Sequence, residues 1–469
     1  MTPRPFTSGL LLGVVSLLAA CSWSRFDDIQ ERAPVVKIES PGGIPGFATR
    51  MSAVGLPTGS RVLLGGDPNT TFPMAAFDVV DDRPSTEPAD SAFCTSDCVS
   101  GETLTALREV STPGGVRTSC FLHGAGDLDG VRGILGRCAD GTNFVYPVPE
   151  DGPIAPGSLS PRDVIDDALV GNIQEGLIQH AASHDDAPIV VASAPQARSA
   201  WFYPAGSLAP VLLVPPAAVT AEPGADFGAR VAVASVAGGA HLIAVSAPRH
   251  GDANNSGALW LYRLEPGGSS AAPWGCLSGR WPSFGRYMYV GQLTGDDSDE
   301  LVVADAGALT VYDAGLLAAR PLPDACGAPP LDTDALIARV TCVDGAALSG
   351  CDRETIAFGR ALAVGDVDGD GHNELVVGVK ELNVNDASGA GAVLVYRISR
   401  EPQRSGLIGA LMIATAARDD ALGASVATVR IGERDIVAAG APGAGAFFLF
   451  FCPATGGPTS ASFRCQQAN

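Results

Sequence analysis

Three aspartates at alternate positions, two glycines and a closing glutamate occupy nine consecutive residues, Asp366-Val367-Asp368-Gly369-Asp370-Gly371-His372-Asn373-Glu374. Carboxylates at this spacing can wrap a hard cation, and a set made only of oxygens suits Ca2+ better than zinc. Asp366, Asp368, Asp370 and Glu374 are the candidate side-chain ligands. The competing reading is a solvated acidic turn, but uncompensated carboxylates this close repel one another. Apolar runs at 360–364 and 375–379 flank the segment and place it at the tip of a β-hairpin. An EF-hand would need a bidentate glutamate at the twelfth position between two helices. That position is Val377, inside a β-branched run, so an EF-hand is excluded.

Other chemistry-bearing residues are sparser. His180 and His184 stand at i and i+4, which on a helix would suggest zinc, but alignment with later segments puts His180 in a strand and His184 at a hairpin tip. There is no G-x-S-x-G elbow, no H-E-x-x-H and no P-loop, and Gly423-Ala424-Ser425-Val426-Ala427 fails the elbow at its last position. A non-enzymatic protein is therefore expected. Trp201, Tyr203, Trp260, Tyr262, Tyr312 and Tyr396 recur at one place in a repeated pattern and read as packing residues. Trp274 and Trp281 fall off that register in a Gly/Pro-rich loop and are better candidates for exposed contact than the recurring aromatics.

The chain starts with Arg4, an apolar run at 10–20, and Leu18-Ala19-Ala20-Cys21. A run this short, ended by small residues, reads as an export signal rather than a membrane span. Ten of the eleven cysteines lie beyond Cys21, and an even number in an exported chain favours disulfides. Cys94 with Cys98, Cys342 with Cys351 and Cys452 with Cys465 are the simplest local pairings, although spacing does not fix connectivity. A net charge of −21 argues against nucleic acid or an anionic membrane surface as partner. The 57 glycines and 35 prolines punctuate the 469 residues too often for long helices, so many short strands are expected.

Those strands repeat. Phe358-Gly359-Arg360 leads to Val364-Gly365, the aspartate loop, Glu374-Leu375-Val376-Val377 and Gly391-Ala392-Val393-Leu394-Val395-Tyr396. Phe284-Gly285-Arg286 leads at the same offsets to Val290-Gly291 and Glu300-Leu301-Val302-Val303, then to Ala308-Leu309-Thr310-Val311-Tyr312. The segments opening at Phe227-Gly228 and Leu422-Gly423 follow the pattern, each with an Ala-Pro pair at 247–248 or 441–442. Partial copies lie around 47–68, 124–136 and 189–203. In the copy opening at Phe284, two ligand positions have become Gln292 and Thr294, so that loop is expected to be weak or empty. The loop of Asp127 and Asp129 is truncated after Gly130.

This pattern resembles the FG-GAP repeat of integrin α-subunit β-propellers, and Leu18-Ala19-Ala20-Cys21 resembles the lipobox of bacterial lipoproteins. The first resemblance implies an all-β fold, a seven-bladed β-propeller of four-stranded antiparallel blades at about 64 residues each. It further implies that the backbone carbonyl of His372 completes a calcium shell. An N-terminal strand at 35–38 would be lent to the last blade. The second implies cleavage before Cys21 and lipidation of its thiol. The expected organisation is a signal peptide at 1–20, a lipidated tether at 21–34 and the propeller at 35–469, with loop-rich insertions near 81–119 and 316–350. The expected protein is a monomeric ring on a bacterial envelope membrane, with a lean to the outer membrane, that binds protein or glycan. A glycan-cleaving propeller enzyme and a structural scaffold of an envelope complex are the alternatives.

Overall fold

A computed structural model describes residues 35–40, 46–56, 59–65 and 75–80, strand segments between 120 and 214, and, with short gaps, 224–450. The expected signal peptide and tether with Cys21, the expected insertion near 81–119, and Cys94, Cys98, His184, Trp281, Cys452 and Cys465 lie outside the described residues.

The described chain is built from antiparallel sheets laid down in order. The first holds Arg50–Leu56, Gly59–Gly65 and Ala75–Val80, and the second runs from Cys120–Leu128 to Arg162–Ile165. The third runs from Gln179–His180 to Val211–Leu213, the fourth from Val231–Val236 to Ala271–Ser278, and the fifth from Met288–Gly291 to Leu336–Thr341. The sixth runs from Ala361–Gly365 to Gly406–Leu411. The seventh joins Ser425–Ile431, Arg434–Ala441 and Ala446–Phe450 to the N-terminal strand Val35–Glu39. The first of these sheets has three strands and the other six have four, and a further two-stranded sheet among the described residues pairs Leu348–Ser349 with Asn383–Val384. The first strand of each sheet touches the first strand of the next, and that of the seventh touches that of the first. This cyclic, radial arrangement is a β-propeller.

The physical reason lies in the second strands. Ala240–Ala247, Glu300–Asp305 and Glu374–Val379 are buried at every residue, so both faces of each are covered. Near-continuous apolar sequence, rather than alternation, is what such doubly covered strands require. Accordingly the apolar clusters lie between sheets. One joins Leu242 and Leu259 to Leu301 and Tyr312, the next joins Val302 and Leu309 to Leu375 and Leu394, and a third joins Val376 and Val393 to Val426 and Val437.

The Phe-Gly turns plug these interfaces. The ring of Phe358 meets Tyr396 edge-on at 6.1 Å, and Phe284 meets Tyr312 in the same way at 6.4 Å. Gly359 has φ +89°, and a Cβ there would lie 2.5 Å from Leu309 Cδ2 and 3.0 Å from Ala304 Cβ of the preceding sheet. Only glycine fits both conditions. The recurring aromatics are packing residues, as expected: Trp260, Tyr262, Tyr312 and Tyr396 are buried, and the hydroxyls of Tyr262 and Tyr396 donate to the carbonyls of Val214 and Thr341.

One expectation changes. Trp274 is not in an exposed loop; it sits in the strand Ala271–Ser278, half-buried, with Nε1 donating to Leu317 O at 3.0 Å. The glycines and prolines around it hid a strand that continues past the bulge between Leu261 and Tyr262. Within 316–350, beside its loops, lie most of a short helix, Ala314–Ala319, and the strand Leu336–Thr341. Cys342 pairs with Cys351 as expected, and Cys276 pairs with Cys326 across 50 residues. His180 lies in a strand opposite Val190. No helix among the described residues is long and apolar enough to cross a membrane.

Candidate metal centre

The 366–374 loop joins the strands Ala361–Gly365 and Glu374–Val379 of the sixth sheet, where Gly365 pairs with Glu374. The tight turn folds three of the four predicted carboxylates together: ligand atoms of Asp366, Asp368 and Glu374 all lie within 4.8 Å of one another, and all three residues are buried. Asp370 stands at the rim, with a 38% exposed side chain. His372 is exposed, and its backbone N–H donates to Asp370 Oδ1 at 2.9 Å.

Backbone donors shape this cluster without saturating it. Gly371 N donates to Asp366 Oδ2 at 3.1 Å, Asp370 N to Asp368 Oδ1 at 3.2 Å and Val367 N to Glu374 Oε2 at 3.2 Å. Asp366 Oδ1 and Glu374 Oε1 are buried and accept no hydrogen bond. Burial pushes the Glu374 carboxyl up to about 8, with the Asp368 and Asp370 carboxylates adding to the shift and Arg397 opposing it. Asp368 is raised as well, first by burial and then by Asp370. Such a cluster is costly as bare anions and is relieved by a cation.

The fifth sheet carries the same loop with its central polar groups satisfied within the hairpin, while Asp296, at the position of Asp370, pairs outside it with Arg400. Gln292, at the position of Asp366, donates from Nε2 to the carbonyls of Asp296 and Ser298. Ser298 corresponds to His372, so the amide takes up a carbonyl that in the sixth sheet would face a metal. Glu300 Oε1 accepts from the Thr294 hydroxyl at 2.6 Å, and Oε2 accepts from Leu293 N at 2.6 Å and Thr294 N at 3.2 Å. Gln292 and Thr294 thus supply neutral hydrogen bonds where the sixth sheet has the carboxylates of Asp366 and Asp368. The Asp366 loop keeps the backbone donor, Val367 N to Glu374, but has no side-chain donor at the positions of Gln292 and Thr294, and its oxygen-only donor set fits Ca2+.

Sequence reasoning missed three residues around the cluster. Arg397, the last residue of the strand Ala392–Arg397, folds back onto Asp368 and Asp370. Asp435 of the seventh sheet accepts from Asp366 N through Oδ2 at 2.9 Å, and its own N–H donates to Asp366 O at 2.9 Å. Asn373 Nδ2 donates to Gln292 O at 2.6 Å. The one available signal was for Arg397, which follows the tyrosine that ends the repeat. In the second sheet, Asp127 lies in the strand Cys120–Leu128 opposite Arg132 of Val131–Cys138, and Asp129 lies outside the described residues.

No curated protein matches the sequence. Among solved structures the chain is similar to the β-propeller domain of Cps50 (Swd1) from Myceliophteria thermophila, with a TM-score of 0.43, 10% identity, and 90% of this chain and 97% of that one covered. It is also similar to Sqt1 from Saccharomyces cerevisiae, with a TM-score of 0.43, 8% identity, and 90% and 99% covered. The Malassezia sympodialis allergen Mala s 1 gives a TM-score of 0.35, 12% identity, and 67% and 88% covered. The family model that matches is the FG-GAP repeat, and it covers residues 358–396. The chain is a β-propeller that carries an FG-GAP repeat around its acidic hairpin.

Proposed function

We propose that this protein is a binding module of the bacterial cell envelope: a ring of seven blades anchored by lipid at Cys21, with one blade stabilised by Ca2+ and a loop surface presented to a protein or glycan partner. Asp366, Asp368, Asp370 and Glu374, with the carbonyl of His372, would hold the ion. Calcium there supplies a cross-link between carboxylates, not a reacting group. The observation that carries the metal reading is the contrast between the two hairpins: in one, Gln292, Thr294 and Glu300 are hydrogen-bonded within the loop, and in the other Asp366 Oδ1 and Glu374 Oε1 are buried and accept no hydrogen bond.

Thermal melting during a calcium titration tests it. A ligand that binds only the folded chain stabilises it by mass action, by about 2.7 kcal/mol at a hundredfold excess over Kd. The wild-type transition should move up with calcium and that of Asp368→Ala should not; a wild type indifferent to calcium would sink the metal reading. For the anchor, Cys21→Ser should move the protein from the membrane fraction to the soluble one. Protease shaving of intact cells then distinguishes a surface-facing binder from a periplasmic one.

A further inference from the structure

The acidic hairpin already holds a cation of the chain's own. Arg397 Nη2 stands 2.6 Å from Asp368 Oδ2, 2.7 Å from Asp370 Oδ2 and 3.7 Å from Glu374 Oε1. It therefore reaches three of the four carboxylates that calcium would use. One of the oxygens it approaches, Glu374 Oε1, accepts no hydrogen bond. Calcium takes its oxygens at about 2.3–2.6 Å, so the ion and the guanidinium draw on the same carboxylates. Two positive charges sharing those carboxylates in a partly buried site repel.

Resting on the calcium reading above, we propose that Arg397 is a built-in competitor that sets the affinity of the site. The guanidinium closes the hairpin when calcium is scarce, and calcium drives it outward. Its side chain is 37% exposed, so a path to solvent is open.

The corresponding positions in neighbouring repeats support the pairing of Arg397 with this loop. In the fifth sheet, where Gln292 and Thr294 have replaced two ligand acids, the residue after the repeat tyrosine is Asp313, which caps the helix at Leu316 N. There the glutamate of the hairpin, Glu300, is met by neutral donors. In the fourth sheet the position is Arg263 and the hairpin has Ser235 in place of Asp366. Arg263 lies over the Trp274 ring at 4.9 Å and donates to Ala318 O at 2.8 Å. An arginine at this repeat position can thus rest on its own sheet and the following helix instead of on a hairpin.

Calcium binding to the full chain, followed by competition with a chelating dye, tests the proposal on wild type, Arg397→Gln and Arg397→Lys. Arg397→Gln should melt lower than wild type without calcium, because the carboxylates lose their counter-ion. It should bind calcium at least tenfold more tightly, a difference of about 1.4 kcal/mol. Arg397→Lys, which keeps the charge but loses the fork, should fall between the two. In the wild type, phenylglyoxal should label Arg397 faster with calcium than without it. Equal or weaker binding by Arg397→Gln than by a calcium-binding wild type overturns the competition and leaves the calcium reading standing. If neither chain binds calcium, both readings fall. Should Arg397→Gln not fold, the labelling of wild type and the affinity of Arg397→Lys decide the matter.

Discussion

Glu300 and Glu374 occupy the same position in adjacent repeats, and both are fully buried. Burial lifts the Glu300 carboxyl to about 7, outweighing the hydrogen bonds from Thr294 and Leu293 that favour its charged form. A carboxyl with a folded pKa above its unfolded value of 4.5 binds its proton more tightly when folded. Its contribution to stability is therefore full below about 4.5 and lost as pH rises through about 7. The loss should be on the order of 3 kcal/mol, and Glu300→Gln should remove it. Urea unfolding of both chains from acid to neutral pH checks this; parallel curves would mean that the residue titrates normally. At this scale the ligand set was legible because oxygen ligands on a hairpin fall at fixed alternate positions. Arg397 was not, because it lies 23 residues beyond Glu374 and meets the loop only through the pairing of strands.

Between elements, one contact recurs from sheet to sheet. Asp299 accepts from Ser235 N at 2.7 Å and returns its own N–H to Ser235 O, and Asp435 does the same for Asp366. Asn373 bonds Gln292 O at the equivalent place. Each of these residues stands just before the strand position held by Glu300 or Glu374, and each latches onto the preceding hairpin. Burial raises the Asp435 carboxyl, so a neutral amide suits the site almost as well as the acid. Asp435→Ala should cost about 1–3 kcal/mol by stranding the Asp366 amide, and Asp435→Asn clearly less. Denaturant midpoints would show the order, and equal losses would rule the latch out. Gly359→Ala forces a side chain into the left-handed region and against Leu309, and should destabilise by about 1–3 kcal/mol in the same measurement. The Phe-Gly pairs announced these interfaces in the sequence. The latches stayed hidden because Asp299, Asn373 and Asp435 differ in type and act across a sheet boundary.

For the whole molecule, the seam is the informative part. Val35–Glu39 pairs along its length with Ala446–Phe450, so the last sheet is completed by the first strand of the described chain. The repeats implied this arrangement, since a ring of similar sheets must close on itself. The partial copies near 47–68 and 124–136 were harder to read because their Phe-Gly or aspartate signals are eroded, yet they form sheets through strand pairing. Deleting residues 22–39 should expose the edge of Ala446–Phe450, lower the melting temperature and promote association, visible by gel filtration. An unchanged, monodisperse product would show that the seam does not hold the ring. The same pairing has a mechanical side. A load applied at the N-terminus enters through five paired residues, from Val35 opposite Phe450 to Glu39 opposite Ala446. Pulled along its axis, that strand shears from its neighbour before force reaches any other sheet. A propeller held by its N-terminus thus yields first at its closure, opening the ring while the inner sheets stay folded.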